Sequence, residues 1–316
     1  MSAKHAPGAS KTAQTVAPSS PNKSPSTQII GVQFHRKTTF TGLEKKTMTL
    51  NESIKLDLDT FKTNAVQIFT HNPQNGKAIA TEDAEIKATA ELIAETKSTL
   101  VIHGPYGVLK YFNDPSLIEA KLPMFEQQFV VAKKFKSIGI VFHIGINTVE
   151  QVVNAMKHFM PLAKKYGVPV LLESIAIKSR PGITYEQLDQ VNKLTDILGP
   201  DNKSWGWCID TAHLWALGVD VKNFAPMENW LNGVKHPKKI QLFHLNGSAR
   251  DKGTGRDEHE TPFCAADKIW KGTKTKESGL AAVANFAKAH SVPIILELKH
   301  GNVDEINDVL DIIDSL

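Results

Sequence analysis

The feature that most constrains the fold of this chain is a regular alternation of short apolar runs and longer amphipathic stretches from residue 29 onward. The short runs are rich in β-branched residues and are typical of strands, whereas the longer stretches have the apolar period of a helix. Strands are predicted at 29–34, 65–69, 99–103, 138–143, 168–173, 204–210, 239–245 and 292–298. Helices are predicted at 49–62, 81–97, 116–136, 148–166, 184–198, 221–235, 277–290 and 303–314.

Strands that alternate with helices in this way predict an α/β fold, a parallel (β/α)8 TIM barrel. The main alternative is an open doubly wound sheet, which favours a Gly-rich phosphate-binding turn after its first strand. The segment after the first predicted strand is HRKTTFTG and contains no such turn. A closed barrel also brings the carboxyl ends of all its strands to one rim, where active sites of this architecture lie.

Residues 1–28 differ from the rest of the chain because they are rich in Ser, Ala, Pro and Thr and contain no acidic residue. Such a composition cannot bury a core, so we predict a disordered low-complexity tail at 1–28 and a barrel domain at 29–316. A flexible spacer, a nucleic-acid tether and a targeting peptide are alternative roles for the tail. Lys4, Lys11 and Lys23 supply most of the formal net charge of +4, so the charge itself is a weak argument for nucleic-acid binding.

The cysteine content predicts a reducing intracellular compartment, either the nucleus or the cytoplasm. Cys208 and Cys264 are the two cysteines, too few for a disulfide framework, and both are interpreted as packing residues. No apolar run approaches the ~18–20 residues that a membrane-spanning helix requires. We therefore expect a monomer without membrane association.

Metal-ligating side chains follow six successive predicted strands, in the segments VIH, VFH, LLE, CID, FHL and LEL. His, Asp and Glu are the nitrogen and oxygen ligands of zinc-like divalent metals, and one rim of a barrel would bring them together. Asp257 and His259 alternate in an extended segment, so both side chains point to one side. The candidate metal ligands are His103, His143, Glu173, Asp210, His213, His244, Asp257, His259 and Glu297.

The number of candidate ligands points to more than one metal ion. A single tetrahedral zinc takes four ligands, whereas two or three ions can share bridging carboxylates. Closely spaced metals are suited to displacement at phosphorus, so the predicted reaction is hydrolysis of a phosphate ester. Glu173, Glu297 and His143 are the candidate catalytic residues among the ligands.

Several segments together resemble the endonuclease IV family, the family 2 apurinic/apyrimidinic (AP) endonucleases. WCIDTAHLWALGVD at 207–220 resembles the C-I-D-T-x-H segment of the family, and HLNGSARDKGTGRDEH at 244–259 resembles its H-L-N-D-S…D-R-H segment. VIHGPYG and QIFTHNPQ resemble its H-x-x-Y loop and its F-T-x-N segment. The resemblance covers residues 29–316 and implies a barrel with three zinc ions that cleaves double-stranded DNA 5′ to abasic sites.

The resemblance also implies a role for each ligand. His103 and His143 would bind the first zinc, and Glu173 would bridge it to the second. Asp210, His244 and Glu297 would complete the second site, while His213, Asp257 and His259 would bind the third ion. Tyr106, Asn72 and Gln74 match the positions at which the loops of the family enter the DNA.

A basic stretch after the Asp257/His259 pair is a separate DNA-binding candidate. Lys268 and Lys271 flank Trp270 there, and Lys274 and Lys276 follow without an intervening acid. Such a cluster is suited to tracking a phosphate backbone, with a solvated loop as the alternative.

The chain departs from the family pattern mainly in loops. Gly247 replaces the Asp of H-L-N-D, Glu258 replaces the Arg of D-R-H, and Gln74 stands where an inserted Arg is expected. The segments ESIAIKSRPG and TPFCAADKIWKGTKTK replace E-N-T and a Gly-rich turn. Two alternatives therefore stay open: a xylose-isomerase-like sugar isomerase or epimerase with one divalent metal, and a DNA-binding barrel without enzymatic activity.

Overall fold

A computed structural model describes residues 28–33, 38–41, 44–74, 76–145, 147–176, 187–297 and 303–316. The parallel strands are β1 Ile30–Gln33, β2 Ala65–Phe69, β3 Thr99–His103, β4 Ile140–His143, β5 Val170–Glu173, β6 Trp205–Asp210, β7 Ile240–His244 and β8 Ile294–Leu296. They form a closed barrel in the order β1-β8-β7-β6-β5-β4-β3-β2. The predicted (β/α)8 barrel is therefore confirmed.

Long helices cover the outside of the barrel in the described part of the chain. They are α1 Leu50–Phe61, α2 Asp83–Glu95, α3 Leu122–Lys134, α4 Val149–Tyr166, α5 Leu188–Leu198, α6 Phe224–Gly233, α7 Gly279–His290 and α8 Val303–Asp314. The cap of α4 shows how the sequence sets these bounds, since Thr148 and Gln151 form a capping box and Gly167 ends the helix at φ 69°.

The structure differs from the prediction in the connections. The helix predicted at 116–136 is divided into Ser116–Glu119 and α3, with Pro123 in the first turn of the second part. A short helix that was not among the predicted ones, Thr211–Leu217, follows β6. Two small antiparallel ladders were not predicted: Thr38–Thr41 pairs with Glu44–Thr47, and Gly247–Ser248 pairs with His259–Glu260.

Most of the predicted tail, residues 1–27, lies outside the described residues. Gln28, its last residue, is buried against the barrel, and its side-chain amide donates to the carbonyl of Val292 at 3.4 Å. Among the described residues, no helix has the length and apolar character needed to span a membrane.

Two layers of inward-facing side chains fill the barrel near its carboxyl rim. The lower layer is apolar and consists of Ala65, Val101, Val141, Leu171, Cys208, Leu242 and Ile295. Because strand side chains alternate, the next inward position lies two residues further along each strand. Those positions form a polar layer, completed by Gln33 of β1: Gln33, Gln67, His103, His143, Glu173, Asp210, His244 and Glu297.

Gly31 allows β1 to close this double layer. A Cβ atom at Gly31 would lie 2.1 Å from the carbonyl oxygen of Ala65 in β2. Only glycine lets the two strands approach this closely, so the barrel closes with Gln33 beside Gln67.

Candidate metal centre

Glu173 lies at the centre of the polar layer and is fully buried. Its Oε2 atom is 3.0 Å from His143 Nε2 and 3.6 Å from His103 Nε2. Its Oε1 atom is 3.1 Å from His244 Nδ1 and 3.4 Å from His213 Nδ1. Burial alone would raise the pKa of this carboxyl, but the nearby imidazoles of His244 and His143 hold the pKa well below its usual range. Glu173 is thus an ionised carboxylate shared by the histidines of two sides of the barrel.

His244 is oriented by a glutamine that the sequence analysis did not identify. The buried Gln67 donates through Nε2 to Glu297 Oε1 at 2.7 Å and to Gln33 Oε1 at 3.3 Å. Its Oε1 atom therefore accepts from His244 Nε2–H, at 2.9 Å. In the neutral imidazole, this leaves the lone pair of His244 Nδ1 facing Glu173 Oε1 and Glu297 Oε2, at 3.1 and 3.2 Å. A cation between these atoms would satisfy all three.

Asp210 ends β6 and also caps the helix Thr211–Leu217. Its Oδ1 atom accepts from the backbone N–H of His213 at 2.9 Å, which fixes where the His213 side chain starts. Its Oδ2 atom accepts from Asn246 Nδ2 at 2.7 Å and lies 3.6 Å from His259 Nε2. Asn246, also missed by the sequence analysis, accepts from the backbone N–H of Glu297 at 2.8 Å.

The Asp257/His259 pair contacts His213 at the edge of the polar layer. Asp257 Oδ1 is 2.9 Å from His259 Nε2, and Asp257 Oδ2 is 3.2 Å from His213 Nε2. The pKa of the Asp257 carboxyl, which burial would raise, is held far below its usual range by these two imidazoles. The structure thus brings all nine candidate ligands to one rim.

The loop that carries this pair is fixed to the helix Thr211–Leu217. Gly253 and Gly255 both have positive φ, at 76° and 67°, which favours glycine. The N–H of Gly253 donates to Trp215 O at 2.9 Å, and that of Gly255 donates to Ala216 O at 2.8 Å. The position of Asp257 is therefore set by the same helix that carries His213.

Several buried atoms of this centre lack the partners that a protein interior normally provides. Glu173 Oε2, His213 Nδ1 and His259 Nε2 are inaccessible to solvent and make no hydrogen bond of acceptable geometry to any described residue. They lie in groups whose ligand atoms are within 4.8 Å of one another. Bound cations would satisfy these atoms, so the residues fit divalent metal ions. The groups are His103/His143/Glu173, Glu173/Asp210/His244/Glu297 and Asp210/His213/His259.

Cys208 also lies near this centre, within 4.8 Å of ligand atoms of Glu173 and His244. Burial raises the pKa of its thiol well above the ordinary value, and the neighbouring carboxylates raise it further. Cys208 packs in the apolar layer of the barrel, in agreement with the interpretation of this cysteine as a packing residue.

The histidines of the centre give the metal-free protein a distinct pH dependence. Burial lowers the pKa of His244 and His259, but the surrounding carboxylates outweigh it and raise both to about 9, from an ordinary value of 6.5. The stabilisation from their protonated forms is complete below pH 6.5 and is lost as the pH rises through 9. We expect the Tm of the metal-free protein to fall from pH 6.5 to 9, while zinc affinity rises because zinc displaces these protons.

Thermal unfolding of the metal-free and zinc-loaded protein across this pH interval tests the expectation. The variant His259→Gln should show a smaller fall in the metal-free Tm, because it lacks one of the histidines whose pKa is raised; His244 and His213 remain. A wild-type metal-free Tm that does not change between pH 6.5 and 9 would contradict the raised pKa values.

Replacing Gln67 by leucine should weaken zinc binding by about 10–100-fold, the usual effect of losing a partner that orients a ligand. The change removes the acceptor for His244 Nε2 and the donor to Glu297 at nearly constant side-chain size. Zinc affinity, measured by competition with a chelator, is the readout. Gln128→Leu is the matched control, since Gln128 is equally buried but lies on α3. Equal zinc affinity in both variants would show that Gln67 does not orient the ligands.

A cavity of about 290 Å³ opens the metal centre to solvent. Tyr106 stands at its edge, 41% exposed, with its ring centroid 5.3 Å from that of His143. The N–H of Tyr106 donates to Pro73 O at 2.9 Å, so its loop contacts the segment that carries Asn72 and the exposed Gln74. The lining is His103, Tyr106, Leu109, His143, Ile175, Ala176, His213, Asp257, His259 and Glu297.

The basic stretch after the ligand loop is only partly exposed. Lys268 and Lys271 are on the surface, but Trp270 is fully buried, with its indole N–H donating to Val221 O at 2.9 Å. A DNA contact through Trp270 does not fit this position, because its ring belongs to the core. The lysines in the sequence therefore do not indicate whether the residues between them are exposed.

Comparisons with known proteins agree with this geometry. The family described as xylose isomerase-like TIM barrel matches residues 60–273. A probable AP endonuclease of African swine fever virus is 27% identical over 79% of this chain and 84% of its own length. A probable endonuclease 4 of Natronomonas pharaonis is 30% identical over 73% of this chain and 81% of its own length. The solved structure of AsfvAP:AG shares the fold, with a TM-score of 0.76 and 24% identity over 90% of this chain and 95% of that one. The chain therefore belongs to the xylose isomerase-like TIM barrel family and, within it, to the endonuclease IV family of AP endonucleases.

Proposed function

We propose that this protein is a zinc-dependent DNA repair endonuclease that hydrolyses the phosphodiester 5′ to an abasic site in double-stranded DNA. We further propose that it binds three zinc ions and that residues 29–316 form the catalytic domain. The observation that carries the proposal is the convergence of nine ligands around Glu173, with His213, Asp257 and His259 forming an outer group at the cavity that shares Asp210 with the inner ligands. A single divalent metal, as in a sugar isomerase, would not require further ligands at His213, Asp257 and His259.

The residues present fit the chemistry of phosphodiester hydrolysis. Closely spaced divalent metals supply electrostatic stabilisation to the attacking and leaving oxygens of such a displacement. Glu173 supplies an ionised carboxylate between two groups of histidines, and Gln67 and Asn246 fix the side chains around it. Four ligand carboxylates and three divalent ions would leave a charge of about +2 at the rim, which attracts a phosphodiester.

We propose that DNA lies across the cavity, with Tyr106 against the lesion. Its exposed ring stands over His143, beside the segment of Asn72 and Gln74. Lys268 and Lys271 are exposed on the loop that follows the ligand pair and are suited to backbone phosphates.

A duplex oligonucleotide with one abasic-site analogue tests the proposal directly. The zinc-loaded protein should nick the strand immediately 5′ of the analogue and leave the same duplex without the lesion intact. Glu126→Gln is a suitable control, because this carboxylate bonds Lys165 and Tyr166 on the outer helices and lies outside the centre. If zinc-loaded protein does not cleave the abasic duplex, the proposed substrate is wrong.

A further inference from the structure

A buried carboxylate outside the metal centre organises the loop that follows the ligand pair. Asp267 is fully buried and accepts four backbone hydrogen bonds. Its Oδ1 atom accepts from the N–H groups of Ser248 at 3.1 Å and Ile269 at 2.9 Å. Its Oδ2 atom accepts from those of Phe263 at 2.8 Å and Trp270 at 3.0 Å. One carboxylate thus connects the chain before the ligand loop to the chain after it.

The same carboxylate occupies the space beside Gly247. A Cβ atom at Gly247 would lie 2.8 Å from Asp267 Oδ1 and 2.9 Å from the carbonyl oxygen of Glu260. Real Cβ atoms do not approach other atoms so closely, so a side chain at position 247 is opposed both by the Asp267 carboxylate and by the Glu260 carbonyl. Position 247 is also the point where the H-L-N-D segment that this chain resembles carries an aspartate.

Asp267 is connected to the metal centre through a short ladder. Ser248, which donates to Asp267, pairs with His259 across the antiparallel ladder of Gly247–Ser248 and His259–Glu260. His259 Nε2 in turn lies 2.9 Å from Asp257 Oδ1. Without the Asp267 carboxylate, the Ser248 N–H and three further buried N–H groups would lose their acceptor, and the ladder that holds His259 would lose its support.

We propose that Asp267 is a positioning residue for the outer metal group and that its carboxylate takes the place of an aspartate at position 247. The two departures from the family pattern, Gly247 and the altered loop after the ligand pair, then have one explanation. The carboxylate is supplied by Asp267 instead of position 247, and glycine at position 247 leaves space for it. This inference rests on the proposed zinc site formed by His213, Asp257 and His259.

A double-mutant cycle tests the exchange in the full chain. The proteins are wild type, Asp267→Ala, Gly247→Asp and the double variant, and the readouts are zinc content after dialysis against a weak chelator and the Tm of the metal-free protein. We expect Asp267→Ala to weaken the most weakly bound zinc by about 10–100-fold, so that content falls from three ions to two. Gly247→Asp alone should also lower zinc content and Tm, since two carboxylates then compete for one space. The losses of zinc affinity and Tm in the double variant should be smaller than the sum of the two single-variant losses, because removing the Asp267 carboxylate relieves its contact with the side chain at position 247, while the contact with the Glu260 carbonyl remains.

Controls separate positioning from simple stabilisation. Glu277→Ala removes an exposed carboxylate of the same loop and should keep three zinc ions. Asp267→Asn retains one acceptor oxygen and should lie between wild type and Asp267→Ala, which also covers the case in which the alanine variant does not fold. If Asp267 variants lose Tm but keep three ions at unchanged affinity, or if the losses in the double variant equal or exceed the sum of the two single-variant losses, the inference is wrong. Fewer than three ions in the wild type would instead contradict the proposed function, while the Tm cycle would still test the exchange.

Discussion

Replacing Glu173 by glutamine should reduce cleavage of abasic DNA by about three orders of magnitude or more, given that removing one fixed electrostatic group from an active site already costs ~10²–10³-fold. Glu173 is within 3.6 Å of ring nitrogens of His103, His143, His213 and His244. The amide removes the negative charge that two metal groups share and places an N–H₂ group against atoms that must face a cation. This single substitution should therefore weaken metal binding at both groups that contain Glu173.

The measurement is single-turnover cleavage at saturating protein, together with zinc content. Glu126→Gln is the matched control, because it makes the same chemical change at a carboxylate that forms an ion pair with Lys165 on the surface of the barrel. Glu173→Gln should lose zinc and activity together, whereas Glu126→Gln should lose neither. Near-normal cleavage by Glu173→Gln would show that Glu173 does not bridge metals.

Removal of all metal by a strong chelator should abolish cleavage, and zinc should restore it only when more than one ion is bound. In the proposed three-ion centre, bound cations would satisfy the nine ligands and the orphaned atoms Glu173 Oε2, His213 Nδ1 and His259 Nε2. Titration of zinc into metal-free protein should give a lag before activity appears and saturation near about three equivalents.

The variant Asp257→Asn should reach its plateau at about two equivalents, because Asp257 contacts His213 and His259, the residues proposed to hold the third ion with it. Saturation of the wild-type protein at a single equivalent would contradict the three-ion proposal. That result, with metal-dependent turnover of a sugar, would instead favour the isomerase alternative.

The fold was predictable from the sequence because the strands and helices have different apolar periods and alternate without interruption. Six of the ligands were identifiable because they lie at the end of an apolar run, as Asp210 does in WCID. A polar residue at the end of an apolar run can be recognised in the sequence without knowledge of the fold. The convergence of the nine residues then follows from the rim of a closed barrel.

Other parts of the site depend on neighbours that the sequence does not reveal. Gln67 lies inside the strand AVQIF, so it does not mark a strand end, yet its inward position two residues after Ala65 puts it in the polar layer. The signal that could have identified it is a polar residue in an otherwise apolar strand. Trp270 was misjudged because Lys268 and Lys271 on either side of it are exposed, whereas Ile269 and Trp270 between them are buried in the core.

The polar layer has a consequence for how this protein matures. Its members come from every strand, and the layer closes where Gln67 of β2 meets both Gln33 of β1 and Glu297 beyond β8. Glu297 is the last ligand in the chain, and it reaches Gln67 only when β8 has paired with β1. A partly folded chain can therefore present single histidines and carboxylates, but no complete centre. If catalysis depends on this centre, DNA cleavage requires the final closure of the barrel. A nascent or damaged copy of the protein in which the barrel is not closed would then not cut DNA.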